Sequence, residues 1–345
     1  MIETSARRSL GVAADRPQPP ERVKPPARRM EYLPVALFGS VMGLTGLAAC
    51  WRQAAASYGA PAAVPDAIGA VAILVFAALV IGYGIKVVFS FPAVRAEFDH
   101  PIIGSLFGTA FISLLLLPTV IAPMSLWLAQ GMWIAGTLLM LAFAWYVVDR
   151  WMAARLQISQ AAPTWMVPVV GLLDVPLAVP GLGLPPMHGL LVACLAIGLF
   201  FAIPLFTIIF TRVLFEPPLP DAIQPTLLIL VAPFAVGFLA YVSVNGTIDT
   251  FAQGLFGLTL FMLAILVGRL RRMLSCCPFR LTWWAVSFPV ASAALAALHY
   301  AAARPHLISH VIALSLLAFA TIVIGALFAR TMVGIARGEL RALSL

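Results

Sequence analysis

Ten apolar segments recur along this chain of 345 residues, and they limit its fold more than any other feature. A membrane-spanning helix needs about 20 consecutive, mostly apolar residues. Only 10% of the residues are charged, whereas soluble domains carry about 25%. The chain is therefore predicted to be an all-α polytopic membrane protein. The predicted spans are 33–51, 67–91, 101–122, 124–148, 164–182, 186–214, 225–244, 250–268, 281–302 and 307–333.

The basic residues predict how the chain is oriented. With ten spans both termini lie on one side, and all 21 Lys and Arg residues except Arg52 and Arg304 fall on that side. Short cytoplasmic loops carry an excess of Lys and Arg. We therefore expect both termini in the cytoplasm. Residues 1–31 are predicted to be a disordered basic tail, 32–335 a ten-helix transmembrane domain and 336–345 a short cytoplasmic tail.

Prolines at regular intervals indicate an internal repeat. Each interval holds two predicted helices, which is typical of five repeated helical hairpins. The odd-numbered spans are richer in Pro, Gly and small residues than the even-numbered spans, so five inner helices around a central axis are expected. The alternative is that the small residues only let helices approach closely. The prolines that precede or open the odd spans are Pro34, Pro101, Pro163, Pro225 and Pro278.

The ninth span contains an aromatic residue beside a helix-bending proline. Phe288 directly precedes Pro289, one turn after the pair Trp283 and Trp284. Proline lacks a backbone N–H and crowds the carbonyl four residues back, so the helix is expected to bend here. An aromatic ring at such a bend can close a narrow passage. The alternative is that Phe288 is a packing residue.

Asp174 is the one ionisable residue predicted at mid-depth of an inner span. An ionisable group inside a membrane is a functional candidate, and the alternative here is a solvated helix break beside Pro176. The histidines near the ninth and tenth spans lack acidic partners, and the four cysteines lack metal-ligand spacing. We therefore expect no metal, no cofactor, no nucleic-acid partner and no enzymatic activity.

Three stretches resemble a known family. They are Glu97-Phe-Asp-His-Pro101, Pro225-Thr-Leu-Leu-Ile-Leu-Val-Ala-Pro-Phe-Ala-Val-Gly-Phe-Leu-Ala-Tyr241 and Trp283-Trp-Ala-Val-Ser-Phe-Pro289. The chain is similar over about residues 31–335 to the tellurite-resistance and C4-dicarboxylate transporter family, which includes the plant slow-type anion channels. It looks like a bacterial-type member, which implies that the protein lies in the plasma membrane, the inner membrane of a bacterium.

The resemblance implies a fold and a function. The fold would be ten transmembrane helices as five hairpins, with quasi-five-fold symmetry around a central pore that the odd helices line, assembled as a homotrimer. The function would be passage of small anions, such as chloride, nitrate, dicarboxylates or oxyanions, through a pore gated by Phe288 with Pro289. The alternative is a proton-coupled C4-dicarboxylate or sulfite/tellurite efflux carrier that uses Asp174. Phe234, where the family commonly has a second proline, is expected to narrow or reshape the pore.

The pore-lining candidates are small or proline residues of the odd spans. Because the inner spans carry almost no charge between their ends, weak ligands such as hydroxyls and helix ends are expected to bind the anion in transit. The hydroxyl candidates are Ser40, Thr45, Ser105, Thr109 and Ser287. The lining candidates are Gly39, Gly43, Gly104, Gly108, Gly171, Pro233, Gly237 and Ser287.

Overall fold

The protein is a bundle of ten long apolar helices, as the sequence predicts. The computed structural model describes residues 30–344, without the side chains of residues 271–276. Across this described part there is no β-strand, and ten helices are long and apolar enough to cross a membrane. These spans are Val35–Tyr58, Ala63–Phe89, Gly104–Ile121, Leu126–Ala153, Pro163–Gly181, His188–Phe215, Gln224–Asn245, Thr250–Leu270, Leu281–Ala303 and Leu307–Ala336. Two short helices, Phe91–Asp99 and Leu340–Leu343, lie outside the spans. The predicted tail over 1–31 lies almost entirely outside the described residues.

Burial separates the odd spans from the even spans. In the most apolar 18 residues of each odd span, between 67% and 83% of the residues are buried, against 22% to 39% in the even spans. A helix that is apolar all round and mostly exposed is typical of a surface that faces lipid. The odd spans therefore form the interior and the even spans surround them.

The inner spans close into a ring. Each odd span packs along the even span that follows it, which gives five hairpins. The first span contacts the third and the ninth, the fifth contacts the third and the seventh, and the seventh contacts the ninth. This order encloses a central axis. The quasi-five-fold symmetry of the ring stays a prediction.

Every inner span begins with 3-10 turns and continues as α-helix. In the ninth span the 3-10 segment Leu281–Val286 is followed by the α-helix Ser287–Ala303. Pro289 lies in the first turn of that α-helix, directly after the 3-10 segment. The change of helical pitch therefore falls beside Phe288. The other initial 3-10 segments are Val35–Leu37, Gly104–Phe107, Pro163–Met166 and Gln224–Val231.

The fifth span is broken around Pro176, and its neighbours hold the break. The segment Gly171–Leu177 is a 3-10 helix with this proline inside. The Trp133 indole donates to the carbonyl of Val175 at 2.8 Å, and the Ser243 hydroxyl donates to the carbonyl of Pro176 at 2.8 Å. Irregular backbone inside a membrane is tolerated where protein groups satisfy it in this way. These bonds fix the segment that carries Asp174.

Glu97 holds the start of the first span. Its carboxylate accepts hydrogen bonds from the backbone N–H of Val35 at 2.8 Å and from the Tyr83 hydroxyl at 3.0 Å. It also forms an ion pair with Lys86 at 2.6 Å, and the Lys86 ammonium donates to the carbonyl of Leu33 at 2.7 Å. A carboxylate at a helix N-terminus meets unpaired N–H groups and the positive end of the helix dipole. The cluster therefore ties the second span, the connecting helix and the first span together.

Candidate pore

Two cavities lie inside the ring of odd spans, one behind the other. The N-side cavity lies between the N-terminal halves of these spans and has a volume of about 60 Å³. The C-side cavity lies between their C-terminal halves and has a volume of about 390 Å³. Each cavity is lined by residues of all five odd spans and by none of the even spans. Together they mark a path through the centre of the bundle.

Phe288 separates the two cavities. Among the described residues it is the one that lines both of them, and its exposed fraction is only 8%. The ring passes close to the first span at Gly46, where the Cβ atom of any larger residue would lie 3.6 Å from the ring edge. That Cβ atom would lie closer still to the side chain of Ala291, at 2.9 Å, so the glycine lets the first and ninth spans approach each other beside the ring. The side chain therefore fills the path where the ninth span changes pitch.

The N-side cavity is apolar, and the described residues that line it offer no free hydroxyl donor. The hydroxyls of Thr109 and Thr226 donate at 2.6 Å to backbone carbonyls three residues earlier in the chain, and that of Thr282 donates to the carbonyl of Ala222. Asp174 also lines this cavity, and it is only 2% exposed. Its Oδ1 atom has no hydrogen-bond partner among the described residues. An unpaired carboxylate in an apolar space is costly unless a proton or a ligand compensates it.

The C-side cavity is richer in polar groups. Its lining includes Arg52, Gln53, Ser292 and His299. It also includes Thr45, which is 2% exposed and whose hydroxyl has no partner among the described residues. Three of the other hydroxyls named from the sequence, those of Ser40, Thr109 and Ser287, donate to backbone carbonyls three residues earlier. The free hydroxyl on the path is therefore that of Thr45.

Apart from the hydroxyl candidates Thr45 and Thr109, five sequence-predicted residues line the cavities. Gly39, Gly171, Asp174 and Pro289 line the N-side cavity, and Phe288 lines both cavities. They come from the first, fifth and ninth spans. The structure therefore brings the candidate gate and the candidate carboxylate to one space.

The other predicted lining residues lie at contacts between segments instead. A Cβ atom at Gly43 would collide with the side chain of Ser287, whose hydroxyl itself donates to the carbonyl of Gly39 at 3.2 Å. A Cβ atom at Gly104 would collide with the backbone of Phe98. These glycines allow close packing, which is the alternative that the sequence left open.

Two further glycines and Pro233 follow the same pattern. A Cβ atom at Gly108 would lie 2.8 Å from Val167, and one at Gly237 would lie 3.0 Å from Leu199. Pro233 lies in the first turn of the α-helical part of the seventh span and lines neither cavity.

Phe234 does not narrow the path. Its ring packs edge-on against Phe206 of the sixth span, with the ring centroids 5.7 Å apart, and it lines neither cavity. The expectation that it narrows the pore was wrong, because its position on the helix turns it toward the sixth span.

Arg52 and His299 were missed as site residues from the sequence. The sequence indicated Arg52 only as a loop residue on the less basic side of the membrane. The first span continues to Tyr58, however, so Arg52 lies within a helix and shares a face with Thr45, seven residues earlier. Its guanidinium donates to the carbonyl of Thr119 and lies 3.9 Å from the Asp66 carboxylate. The spacing of seven residues between Thr45 and Arg52 was the feature of the sequence that could have placed Arg52 on the inner face of the helix.

The fold and the cavities define a class of protein, a helical membrane protein with an axial path that one aromatic side chain interrupts. The chain belongs to the voltage-dependent anion channel family (SLAC1), whose family model matches residues 32–332. This confirms the family resemblance found in the sequence.

Individual relatives are similar at modest identity. The S-type anion channel SLAH3 of Arabidopsis thaliana is 26% identical over 332 residues, which are 92% of this chain and 51% of the relative. The guard cell S-type anion channel SLAC1 of Arabidopsis thaliana is 24% identical over 315 residues, or 87% and 55%. The tellurite resistance protein TehA homolog of Haemophilus influenzae is 28% identical over 270 residues, or 76% and 79%. The chain thus spans about half the length of the plant relatives.

Proposed function

We propose that the protein passes small anions across the membrane through the axial path and that Phe288 is its gate. The observation that carries the proposal is that Phe288 lies between two cavities lined by all five odd spans. An apolar constriction blocks ions because it offers nothing in place of their hydration shell. Rotation or displacement of the ring would join the cavities.

The electrostatics of the path favour anions. The five odd spans all begin at the N-side end, so five helix N-termini, which carry partial positive charge, surround that mouth. The first of them is capped by the Glu97 carboxylate, which is itself paired with Lys86. At the other end Arg52 and the Thr45 hydroxyl line the C-side cavity. No described Lys or Arg lines the N-side cavity, so the path has no strong trap for an anion on that side.

The family resemblance implies the substrates and the assembly. The anions are chloride, nitrate, dicarboxylates or oxyanions, and the assembly is a homotrimer in the plasma membrane. The strongly basic loops favour a cytoplasmic position for both termini.

Anion flux into proteoliposomes tests this function. Vesicles that contain the purified protein and an anion-sensitive dye should show uptake of chloride or nitrate above that of empty vesicles. Uptake should depend on the anion and stay unchanged when the cation is exchanged. Uptake equal to that of empty vesicles for both Phe288→Ala and the wild type would contradict the proposal.

The Thr45 hydroxyl is expected to bind the anion in transit. Thr45→Val keeps the shape of the side chain but removes the donor, so we expect the conductance to fall about fivefold, which corresponds to ~1 kcal/mol for one hydrogen bond to the ion. The matched control is Thr137→Val, because the Thr137 hydroxyl is also buried without a described partner but lies in the fourth span, away from both cavities. Equal currents in the two variants, measured in planar bilayers, would show that the Thr45 hydroxyl does not bind the anion in transit.

A proton-coupled carrier is the second candidate, and the unpaired Oδ1 atom of Asp174 favours it. Coupling needs a titratable site within the membrane, and Asp174 is the acidic side chain that lines the N-side cavity. If protons are coupled, the wild-type flux should change between acid and neutral pH, and Asp174→Asn should abolish that change. Asp149→Asn, at an exposed position near the end of the fourth span, is the control. A wild-type flux that is independent of pH would show that Asp174 does not couple protons and has only a structural role at the helix break.

A further inference from the structure

We propose that a pocket at the ends of the sixth and eighth spans binds the phosphodiester headgroup of an anionic membrane lipid. The pocket has a volume of about 270 Å³ and is separate from both axial cavities. Arg212 and Arg269 line it, together with residues of the loop that leads to the seventh span. This inference does not depend on conduction.

Arg212 is the residue that points to a ligand. It lies in the last turn of the sixth span and is only 6% exposed. One guanidinium nitrogen donates to the carbonyl of Pro217 at 3.0 Å, but the buried Nε atom has no partner among the described residues. Leaving a donor of a buried charged group unpaired is costly. A bound anion would pair it.

The second arginine leaves the pocket with excess positive charge. Arg269 is exposed on the eighth span, and Glu216 is the one acidic residue in the lining. Among the described residues, no carboxylate lies within ion-pair distance of Arg212 or Arg269. Two guanidinium groups that face one space match the oxygen atoms of a phosphate group.

The position of the pocket favours a lipid over a soluble anion. The sixth and eighth spans are outer helices, and both reach the side of the termini near this pocket, where the helix of the eighth span continues to Cys276. Next to Arg212, Leu214 is 58% exposed and Phe215 is 80% exposed. These apolar side chains offer a surface for acyl chains beside a basic site at headgroup depth, and basic pockets between spans on the cytoplasmic side are known to hold anionic lipid headgroups.

The test measures lipid binding to the purified full-length chain. Native mass spectrometry should detect phosphatidylglycerol retained by the wild type far more than phosphatidylcholine. Arg269→Gln should lower the apparent affinity for phosphatidylglycerol about tenfold, which corresponds to ~1.4 kcal/mol for one charge-assisted contact. Arg212→Gln should lower it at least as much. Arg212→Lys should bind less well than the wild type because an ammonium lacks the planar fork.

Two controls separate the outcomes. Arg95→Gln removes an exposed positive charge on the same side, outside the pocket, and should bind like the wild type. Arg269→Gln keeps the proposal testable if Arg212→Gln fails to fold, because Arg269 makes no described ion pair. Wild-type phosphatidylglycerol affinity in Arg269→Gln would overturn the site. The lipid assignment would be overturned if inorganic phosphate alone raised the thermal stability of the protein as much as phosphatidylglycerol does.

Discussion

Phe288→Ala is expected to raise the anion current at least about tenfold, which corresponds to lowering the barrier by ~1.4 kcal/mol. The ring is the side chain that lies between the N-side and C-side cavities, and alanine would leave the two joined. The variant should still fold. A Phe→Ala change in a packed core costs ~3–5 kcal/mol, but this ring borders empty space on two sides, so the loss should fall below that range. Planar-bilayer recording and thermal unfolding of the same preparations measure both effects.

Phe238→Ala is the matched control for this result. Phe238 lies in the seventh span, is fully buried, packs against Phe256 and lines neither cavity. It should lose stability across the full packed-core range and gain no current. If Phe288→Ala instead behaves like Phe238→Ala, with poor folding and no gain in current, Phe288 is a packing residue.

Glu97→Ala is expected to destabilise the protein by ~3–5 kcal/mol, the usual cost of removing one partner of a buried ion pair. The Lys86 side chain is 4% exposed, and without the carboxylate its positive charge would stay buried beside the carbonyl of Leu33. The change would also unpair the N–H of Val35 and the Tyr83 hydroxyl. Thermal unfolding in detergent, compared with the wild type, measures the loss.

Asp99→Ala provides the control two residues away. Its carboxylate is 57% exposed and lies 3.7 Å from Arg95, which is 76% exposed. Exposed pairs of this kind contribute about 0–1 kcal/mol. In a further variant, Lys86→Met combined with Glu97→Gln should recover part of the stability, because no buried charge is left unpaired and glutamine can still accept the Val35 N–H. Equal loss in Glu97→Ala and Asp99→Ala would show that the buried pair is not a stabilising contact.

The number and order of the spans could be predicted because membrane thickness limits helix length. Boundaries were less accurate where polar residues continue a helix. The first span was predicted to end at residue 51 but extends to Tyr58, and Arg52 and Gln53 on this last part of the helix line the C-side cavity. Hydropathy alone cannot distinguish a polar residue in a loop from a polar residue on an inward helical face.

The role of each glycine could not be predicted. Gly39 and Gly43 lie one turn apart on the same helix, yet one borders the N-side cavity and the space beside the other is filled by the side chain of Ser287. The absence of a side chain makes room, but the neighbouring helix decides whether that room stays empty. The role of Arg212 could not be predicted either. From the sequence, this residue served only to predict the orientation of the chain, and its burial depends on the loop after the sixth span.

Which hydroxyls are free to bind an anion could not be predicted either. The sequence offered five candidates in the inner spans, and three of them donate to their own helix. Serine and threonine often bond to the carbonyl three or four residues earlier, which leaves them less able to bind a ligand. Thr45 differs because its hydroxyl is unpaired among the described residues, and only the three-dimensional structure reveals this.

The reversal potential of the Phe288→Ala current tests the central claim most directly. With a tenfold gradient of potassium chloride across a planar bilayer, the account predicts reversal near the chloride equilibrium potential, about 59 mV from zero for a monovalent ion, with the sign of an anion and no shift when a pH gradient is added. A reversal near zero, a reversal of the opposite sign, or a potential that follows the proton gradient would contradict an anion-selective path through Phe288.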